Sequence, residues 1–341
     1  MGQSGTIICV VGPTASGKSD VGVALAHLLG RVKDTGAEPG GEVVNADAMQ
    51  LYRGMDVGTA KITDVEMRGV PHHLLDVLDV TQAADVATYQ QRARTVFVDV
   101  QTRGRVPLLV GGSGLYVRAA LDDMRFPGTD AEVRGRYEDQ LARHGAEALH
   151  ALLARRDPAA AAKILPGNGR RIVRALEVGE LTGVAFAASL PQPRYVRPAM
   201  QVGLAVPRDQ LDLRIEARVE RMWAAGLVSE VRTLEAAGLR EGLTASRALG
   251  YAQVLDALDG KTSEDEAREL TARLTRRFAR KQESWFRRDQ RIVWLDAGDD
   301  RDSEDIAQEI QRHVQRRTEE DDHRGEHQPR GSDENDLRSP A

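Results

Sequence analysis

Short β-branched runs alternate along this chain with longer stretches whose apolar residues return every three or four positions. Thr6–Val11, Glu42–Asn45, Val106–Val110, Gln201–Val206 and Arg291–Asp296 read as strands. Between them, Val21, Leu25 and Leu28 follow helical spacing, as do Val86, Tyr89, Ala93, Val96 and Val100, and Ile215, Val219 and Met222. Such alternation predicts an α/β fold, a parallel sheet flanked by helices. From about Arg125 to Pro198 the strand signals stop. Val133, Tyr137 and Leu141 space a helix over Thr129–His144, a second covers Ala148–Ala154, and Asp157-Pro158 opens a third that Pro166-Gly167 stops. Asn168 can cap a further helix with Ile172, Val173 and Leu176 inward. This block reads as an all-helical insertion or lid. The domains expected are a discontinuous core, 1–124 with 201–300, and an insertion, 125–200. Ser263-Glu-Asp-Glu266 is a capping box opening a long helix with Leu270, Leu274, Phe278, Lys281 and Trp285 on one side.

The turn after the first strand changes the picture most. Gly12-Pro13-Thr14-Ala15-Ser16-Gly17-Lys18-Ser19 fits G-x-x-x-x-G-K-[ST] at every fixed position, between a strand and a helix. Glycines let several backbone N–H groups converge on one anion, and the helix start adds partial positive charge. Lys18 supplies a full charge, and the Ser19 hydroxyl is placed to hold Mg²⁺. The fold expected is therefore P-loop NTPase-like, and the loop binds a di- or triphosphate. The motif alone does not choose which.

Further candidates lie at strand ends. Asp47 follows the second strand, on the edge where such sheets bind ligands. It is a general base, a ligand of metal-bound water, or simply a helix N-cap. The Val106–Val110 strand ends in Gly111-Gly112-Ser113 where a motor or switch NTPase carries an Asp. Ser113 either faces the same edge or caps a helix. Arg247, in the small-residue stretch Ser246–Tyr251, either clamps a second phosphate or forms a surface ion pair. His72-His73 has no partner at metal-ligand spacing and is expected in a structured loop. Arg31–Gly41 reads as a polar loop.

The net charge of −5 argues against nucleic acid until its distribution is considered. Residues 318–341 hold eight acids and three bases, so this acidic tail accounts for the whole −5. With almost no apolar residues, it is expected to be disordered. By contrast, Arg273, Arg276, Arg277, Arg280, Lys281, Arg287, Arg288 and Arg291 crowd nineteen residues that hold only Glu283 and Asp289 in opposition. That density favours a polyanion over an ordinary wet helix face. Arg170, Arg171 and Arg174 share one face of their helix, either solvated or on phosphate. One cysteine, Cys9, excludes a disulfide framework and fits a reducing cytosol. No apolar run approaches a membrane span, and no leader is recognisable.

Gly12–Ser19, Asn45–Lys61, Val70–Asp76, Gly111–Tyr116, Arg170–Glu177 and Arg280–Arg287, read in order, resemble the tRNA dimethylallyltransferase family, the bacterial tRNA isopentenyltransferases. The resemblance spans about 6–296. It departs in the long Arg31–Gly41 loop and in Asn168, where the family often has Asp. The resemblance implies a cytoplasmic monomer that moves a dimethylallyl group from dimethylallyl diphosphate to N6 of the adenosine 3′ of the anticodon. The phosphate loop, Gly12 through Ser19, would then hold a diphosphate leaving group with Mg²⁺ rather than ATP or another nucleotide. Asp47 would be the base, Lys18 and Arg247 would neutralise developing charge, and Ser113 and Thr14 would orient substrates. The anticodon stem-loop would lie on Asp47, Ala48, Met49 and Gln50, on Arg170, Arg171, Ile172, Val173 and Arg174, and on Arg277 and Lys281. A small-molecule kinase, a plant-type adenylate isopentenyltransferase and a non-catalytic RNA-binding module are the alternatives. The basic helix counts against free-nucleotide acceptors, and the phosphate loop against the binding module.

Overall fold

A computed structural model describes residues 5–31, 40–186 and 191–326. The elements run β1 (Ile7–Val11), α1 (Lys18–Arg31), β2 (Gly41–Asn45), α2 (Asp64–Met67), β3 (His72–His73), α3 (Val86–Thr102), β4 (Val106–Gly111) and α4 (Gly114–Leu121). Then come α5 (Ala131–Arg156), α6 (Pro158–Ala161) and α7 (Gly169–Thr182). The chain returns through β5 (Ala199–Ala205), α8 (Arg208–Ala224), α9 (Leu227–Ala236), α10 (Tyr251–Leu258), α11 (Glu264–Phe286), β6 (Ile292–Asp296) and α12 (Ser303–Glu326).

The strands form one parallel sheet in the order β3-β2-β4-β1-β5-β6. The inner strands β2, β4, β1 and β5 are buried on both faces, and β1 and β4 accordingly read as near-continuous apolar runs rather than alternating ones. Because β1 leads away to β2 while β4 inserts between them, the loops after β1, β2 and β4 emerge side by side at the carboxyl edge. Parallel α/β sheets bind ligands at such a place. Ile8, Val10, Leu108, Val110 and Val202 pack with Val21 and Leu25 of α1 and with Ile306, Ile310 and Val314 of α12. On the other side of the strand ends, the Tyr89 hydroxyl of α3 donates to Asn45 O at 2.8 Å.

Two compact units emerge: the chain up to Ala120 with the chain from Arg197, and Leu121–Val196. In the second, Val196 N–H donates to Leu121 O at 2.9 Å, so the strands of chain entering and leaving run together. The helices predicted over 129–144 and 148–154 are both present as the two arms of α5, which breaks between them at Gly145, whose φ of 80° no helix residue adopts. α7 lies on α5 through Ile172, Val173 and Leu176 against Tyr137, Leu149 and Leu153. Beneath them the buried Glu177 carboxylate accepts from Thr129 Oγ1 (2.5 Å), Asp130 N (3.1 Å), Arg134 Nη2 (3.1 Å) and Arg174 Nη1 (2.8 Å). A buried carboxylate requires this many donors.

Two expectations are corrected. His72 and His73 do not sit in a loop but form a short edge strand registered on Val43 and Val44. Their rings are anchored by Val70 O (2.8 Å from His72 Nδ1) and by Glu42 Oε2 (2.6 Å from His73 Nε2). Among the described residues no group of three His, Cys, Asp or Glu could hold a metal ion. Secondly, α12 continues to Glu326, so disorder from 318 onward does not hold over 318–326; 327–341 lies outside the described residues. Burying Ile306, Ile310 and Val314 contributes about 1.5–3 kcal/mol each, and a helix nucleated there propagates at little further cost. Most of the polar loop between Arg31 and Gly41, residues 32–39, is likewise outside the described residues.

Candidate active site

The candidate phosphate loop, Gly12–Ser19, closes on one of its own carbonyls. Ser16 Oγ donates to Pro13 O at 2.9 Å and Lys18 Nζ donates to the same oxygen at 2.6 Å. Ala15 is held at φ 64°, a left-handed conformation that costs a residue with a Cβ about 1 kcal/mol. Such strain persists where the surroundings over-determine the backbone. Ser19 is exposed in the first turn of α1.

Asp47 owes its position to Asn45. That buried amide accepts Asp47 N–H (2.9 Å) and donates to Asp47 O and Leu74 O (both 3.0 Å). No helix follows Asp47. Its Oδ1 accepts Met49 N–H at 2.9 Å, an Asx turn rather than an N-cap. Ser113 braces the same loop: Ala48 N–H donates to its Oγ at 3.1 Å, and Ser113 N–H donates to Ala46 O at 3.1 Å. Ser113 O accepts the amides of Tyr116 (2.9 Å) and Val117 (3.0 Å), so the residue precedes α4 at the N-cap position while its hydroxyl serves the β2 loop.

The missing strand-end carboxylate has a steric cause. A Cβ on Gly111 would stand 2.3 Å from the Ala46 carbonyl, and one on Gly112 would stand 2.3 Å from Gln282 Nε2. At Gly111 the clash is with backbone and leaves no space for a side chain, whereas at Gly112 a Cβ would push aside the Gln282 amide.

These loops open on a cavity of about 600 Å³ within the α/β unit, a size suited to a small ligand or an extruded base. Asp47, Ala48 and Ser113 line it from the β2 and β4 loops, and Thr14 lines it from the phosphate loop. Arg218, Val219 and Met222 come from α8, and Arg247, Ala248 and Leu249 from the turn before α10. Leu274, Arg277, Phe278 and Lys281 come from α11. Thus the side of α11 that carries Leu274, Phe278 and Lys281 is in part cavity wall, and Phe278 remains 40% exposed. Thr271 and Thr275 of α11 line it as well, as do Gly58 and Thr59. Their loop is held by Glu230 of α9, whose carboxylate accepts the amides of Asp56 (3.1 Å), Val57 (2.7 Å) and Gly58 (3.1 Å) and the Tyr251 hydroxyl (2.6 Å).

Charge is concentrated at the loop side. Burial, aided by Arg218, pulls the Lys18 ammonium down to about 7, and Asp47 opposes the shift. Burial lowers the Arg218 guanidinium too, with Asp47 again opposing. The three groups are therefore close enough to feel one another's charge. Such perturbation in a cleft is a mark of function.

Sequence reasoning missed Arg218, Glu230 and Gln282. Arg218 was legible in principle, because it stands three residues after Ile215 and four before Met222, on the apolar stripe of its helix. Gln282 is 6% exposed, lies four residues after Phe278, and hydrogen-bonds the phosphate loop. Glu230 had no local signal.

The candidate RNA contacts divide. Ala48 and Met49 line the cavity, whereas Gln50 donates to Thr59 O at 3.3 Å. Arg170 and Arg171 are exposed. Ile172 and Val173, at 0% and 3% exposure, are core and have no surface to offer a ligand, which corrects their assignment as contacts. Arg174 does not share the outer face; it donates to Glu177 and to Pro127 O (2.6 Å). On the basic helix Arg276 pairs with Glu216 and Arg287 with Glu283. Among the described residues, no ion pair reaches Arg273, Arg277, Arg280, Lys281 or Arg288.

With this geometry in place, comparison with known proteins is informative. The chain matches the IPP transferase family over residues 50–289. A tRNA dimethylallyltransferase of Kineococcus radiotolerans is 74% identical over 311 residues, 91% of this chain and 97% of the relative. One from Thermobifida fusca is 63% identical over 85% of this chain and 89% of the relative. The solved tRNA isopentenylpyrophosphate transferase of Bacillus halodurans is 38% identical with a TM-score of 0.68, covering 94% of this chain and 99% of that one.

Proposed function

Since this chain belongs to the IPP transferase family, we propose that it transfers a dimethylallyl group from dimethylallyl diphosphate to tRNA, at N6 of the adenosine 3′ of the anticodon. The observation that carries the proposal is one cavity lined by three things together: a carboxylate, Asp47; the cations Arg218 and Arg247 beside Thr14 of the phosphate loop; and an apolar wall of Val219, Met222, Leu249 and Leu274. A prenyl diphosphate needs the second and third, and an amine nucleophile needs the first.

The reaction breaks the allylic C–O bond, with its electron pair leaving on diphosphate, and forms a C–N bond to N6. The proton lost from N6 passes to Asp47. Exocyclic amines of adenine are poor nucleophiles, so a base in reach contributes about 10²–10⁴-fold. Lys18, Arg218, Arg247 and the loop amides meet the charge that grows on the leaving group, and exclusion of water by the bound substrates would strengthen each interaction. The target base leaves its stack to enter. Arg277 and Lys281 at the cavity, with Arg273 and Arg280 on the same helix, face the RNA backbone. Exposed Arg170 and Arg171 add charge on the helical unit.

The donor set also suits magnesium. One exposed hydroxyl, Ser19, beside an acid-poor loop fits an ion that keeps water and phosphate oxygens as its other ligands. When bound, the ion supplies charge neutralisation at the diphosphate. No helix of the described residues is long and apolar enough to cross a membrane, and we place this activity in the cytoplasm, on a single chain.

A motor or switch NTPase would carry a metal-binding acid at the end of β4, where Gly111 instead lies against the Ala46 carbonyl; a small-molecule kinase would be told apart by ATP turnover. The test is direct. Unmodified tRNA incubated with the allylic donor and Mg²⁺ should yield prenylated adenosine in a nuclease digest. A digest without it, from protein that binds both substrates, would refute the proposal.

A further inference from the structure

Gln282 is buried on α11, and its amide joins two loops distant in the chain. Its Oε1 accepts Thr14 N–H at 2.8 Å and its Nε2 donates to Gly112 O at 3.0 Å. Only one orientation of the amide satisfies both partners, since one offers a proton and the other a lone pair. The fit is close: a Cβ on Gly112 would lie 2.3 Å from Nε2 and 3.3 Å from Gly12 O. Thr14 is in turn the acceptor for Arg218 Nη1, at 3.0 Å through its hydroxyl. A single residue thus ties the phosphate loop, the β4 loop and, through Thr14, the buried arginine.

We propose that Gln282 is a positioning residue for the diphosphate site, the strut that sets the phosphate loop and Arg218 in register with the β2 and β4 loops. It does not touch the reacting atoms; it is absent from the cavity wall. It also spends one loop amide, that of Thr14, on the protein, so anion binding falls to the amides that follow. Preorganised donors stabilise a developing anion only when held in place by such supports, and misplacement by an ångström costs about 10²-fold.

This inference rests on reading the loop as a diphosphate site, and the experiment separates the two. Binding of inorganic diphosphate with Mg²⁺ is measured by calorimetry for the wild type, Gln282→Leu and Gly112→Ala, beside tRNA affinity and thermal unfolding. Gln282→Leu removes both hydrogen bonds at similar bulk, and Gly112→Ala pushes the amide aside from the opposite end. Both variants should fold and bind tRNA within about twofold of wild type, yet bind diphosphate about 10–100-fold more weakly. Diphosphate affinity within twofold of wild type in both, or failure of both to fold, overturns the proposal in favour of simple core support. If the wild type itself binds no diphosphate, the reading of the loop fails instead, and with it the role proposed for Gln282.

Discussion

Arg218 Nη1 donates to Thr14 Oγ1 at 3.0 Å, joining residues 204 positions apart in the chain. An arginine drawn from the middle of a long helix thereby becomes part of the phosphate loop, beside Lys18 and within the field of Asp47. Arg218→Gln keeps a donor for Thr14 but removes the charge. Turnover should fall about 10²–10³-fold with tRNA affinity unchanged, in steady-state kinetics paired with filter binding. Unchanged turnover would remove Arg218 from the site.

Asp47→Asn preserves an acceptor for Met49 N–H, so the Asx turn survives while the base is lost. Single-turnover transfer should slow about 10²–10⁴-fold, with donor and tRNA affinities near those of the wild type. Full activity in this variant would mean that Asp47 only shapes its turn.

Lys18 gives the pH dependence a sign. Its ammonium is held down to about 7 by burial, so the free protein loses this charge as pH rises through neutrality. A bound dianion raises the group again, and binding above pH 7 must then take up a proton. Diphosphate affinity should be flat on the Lys18 account below pH 7 and fall above it, by at most about tenfold per pH unit. Calorimetry at pH 8 in buffers of different ionisation enthalpy should register the uptake. Lys18→Arg should abolish it, and persistence of the uptake in that variant would assign the proton elsewhere.

Arg277 and Lys281 line the cavity and have no ion-pair partner among the described residues. The double variant Arg277→Glu, Lys281→Glu should weaken tRNA binding and flatten its log–log salt dependence by about 1–2. An identical slope would take this face of α11 out of the interface.

The chain's legibility follows the range of the forces involved. The five strands, the phosphate loop and the capping box at Ser263 were readable because spacing within about ten residues determines them. Asp47 could be placed at a strand end, but not distinguished from a helix cap, since both uses begin with the same residue type. Gln282 and Arg218 escaped notice because their partners lie 268, 170 and 204 residues away. Ile172 and Val173 show the converse error, in which a motif was taken whole although helical spacing had already turned its apolar residues inward. β3 was hidden because two histidines carry no strand pattern; backbone pairing to β2 alone makes them one. Residues 318–326 looked too polar to order, yet they continue α12, which the stripe of Ile306, Ile310 and Val314 seats.

The central claim is that the cavity breaks a prenyl–diphosphate bond at the expense of an adenine amine. Its most direct measurement is the stoichiometry of inorganic diphosphate released to N6-prenylated adenosine formed, in one reaction that also contains ATP. One diphosphate per modified nucleoside, with no ADP, is the predicted result. ADP formed in step with a phosphorylated product, and tRNA left unmodified, would contradict the account.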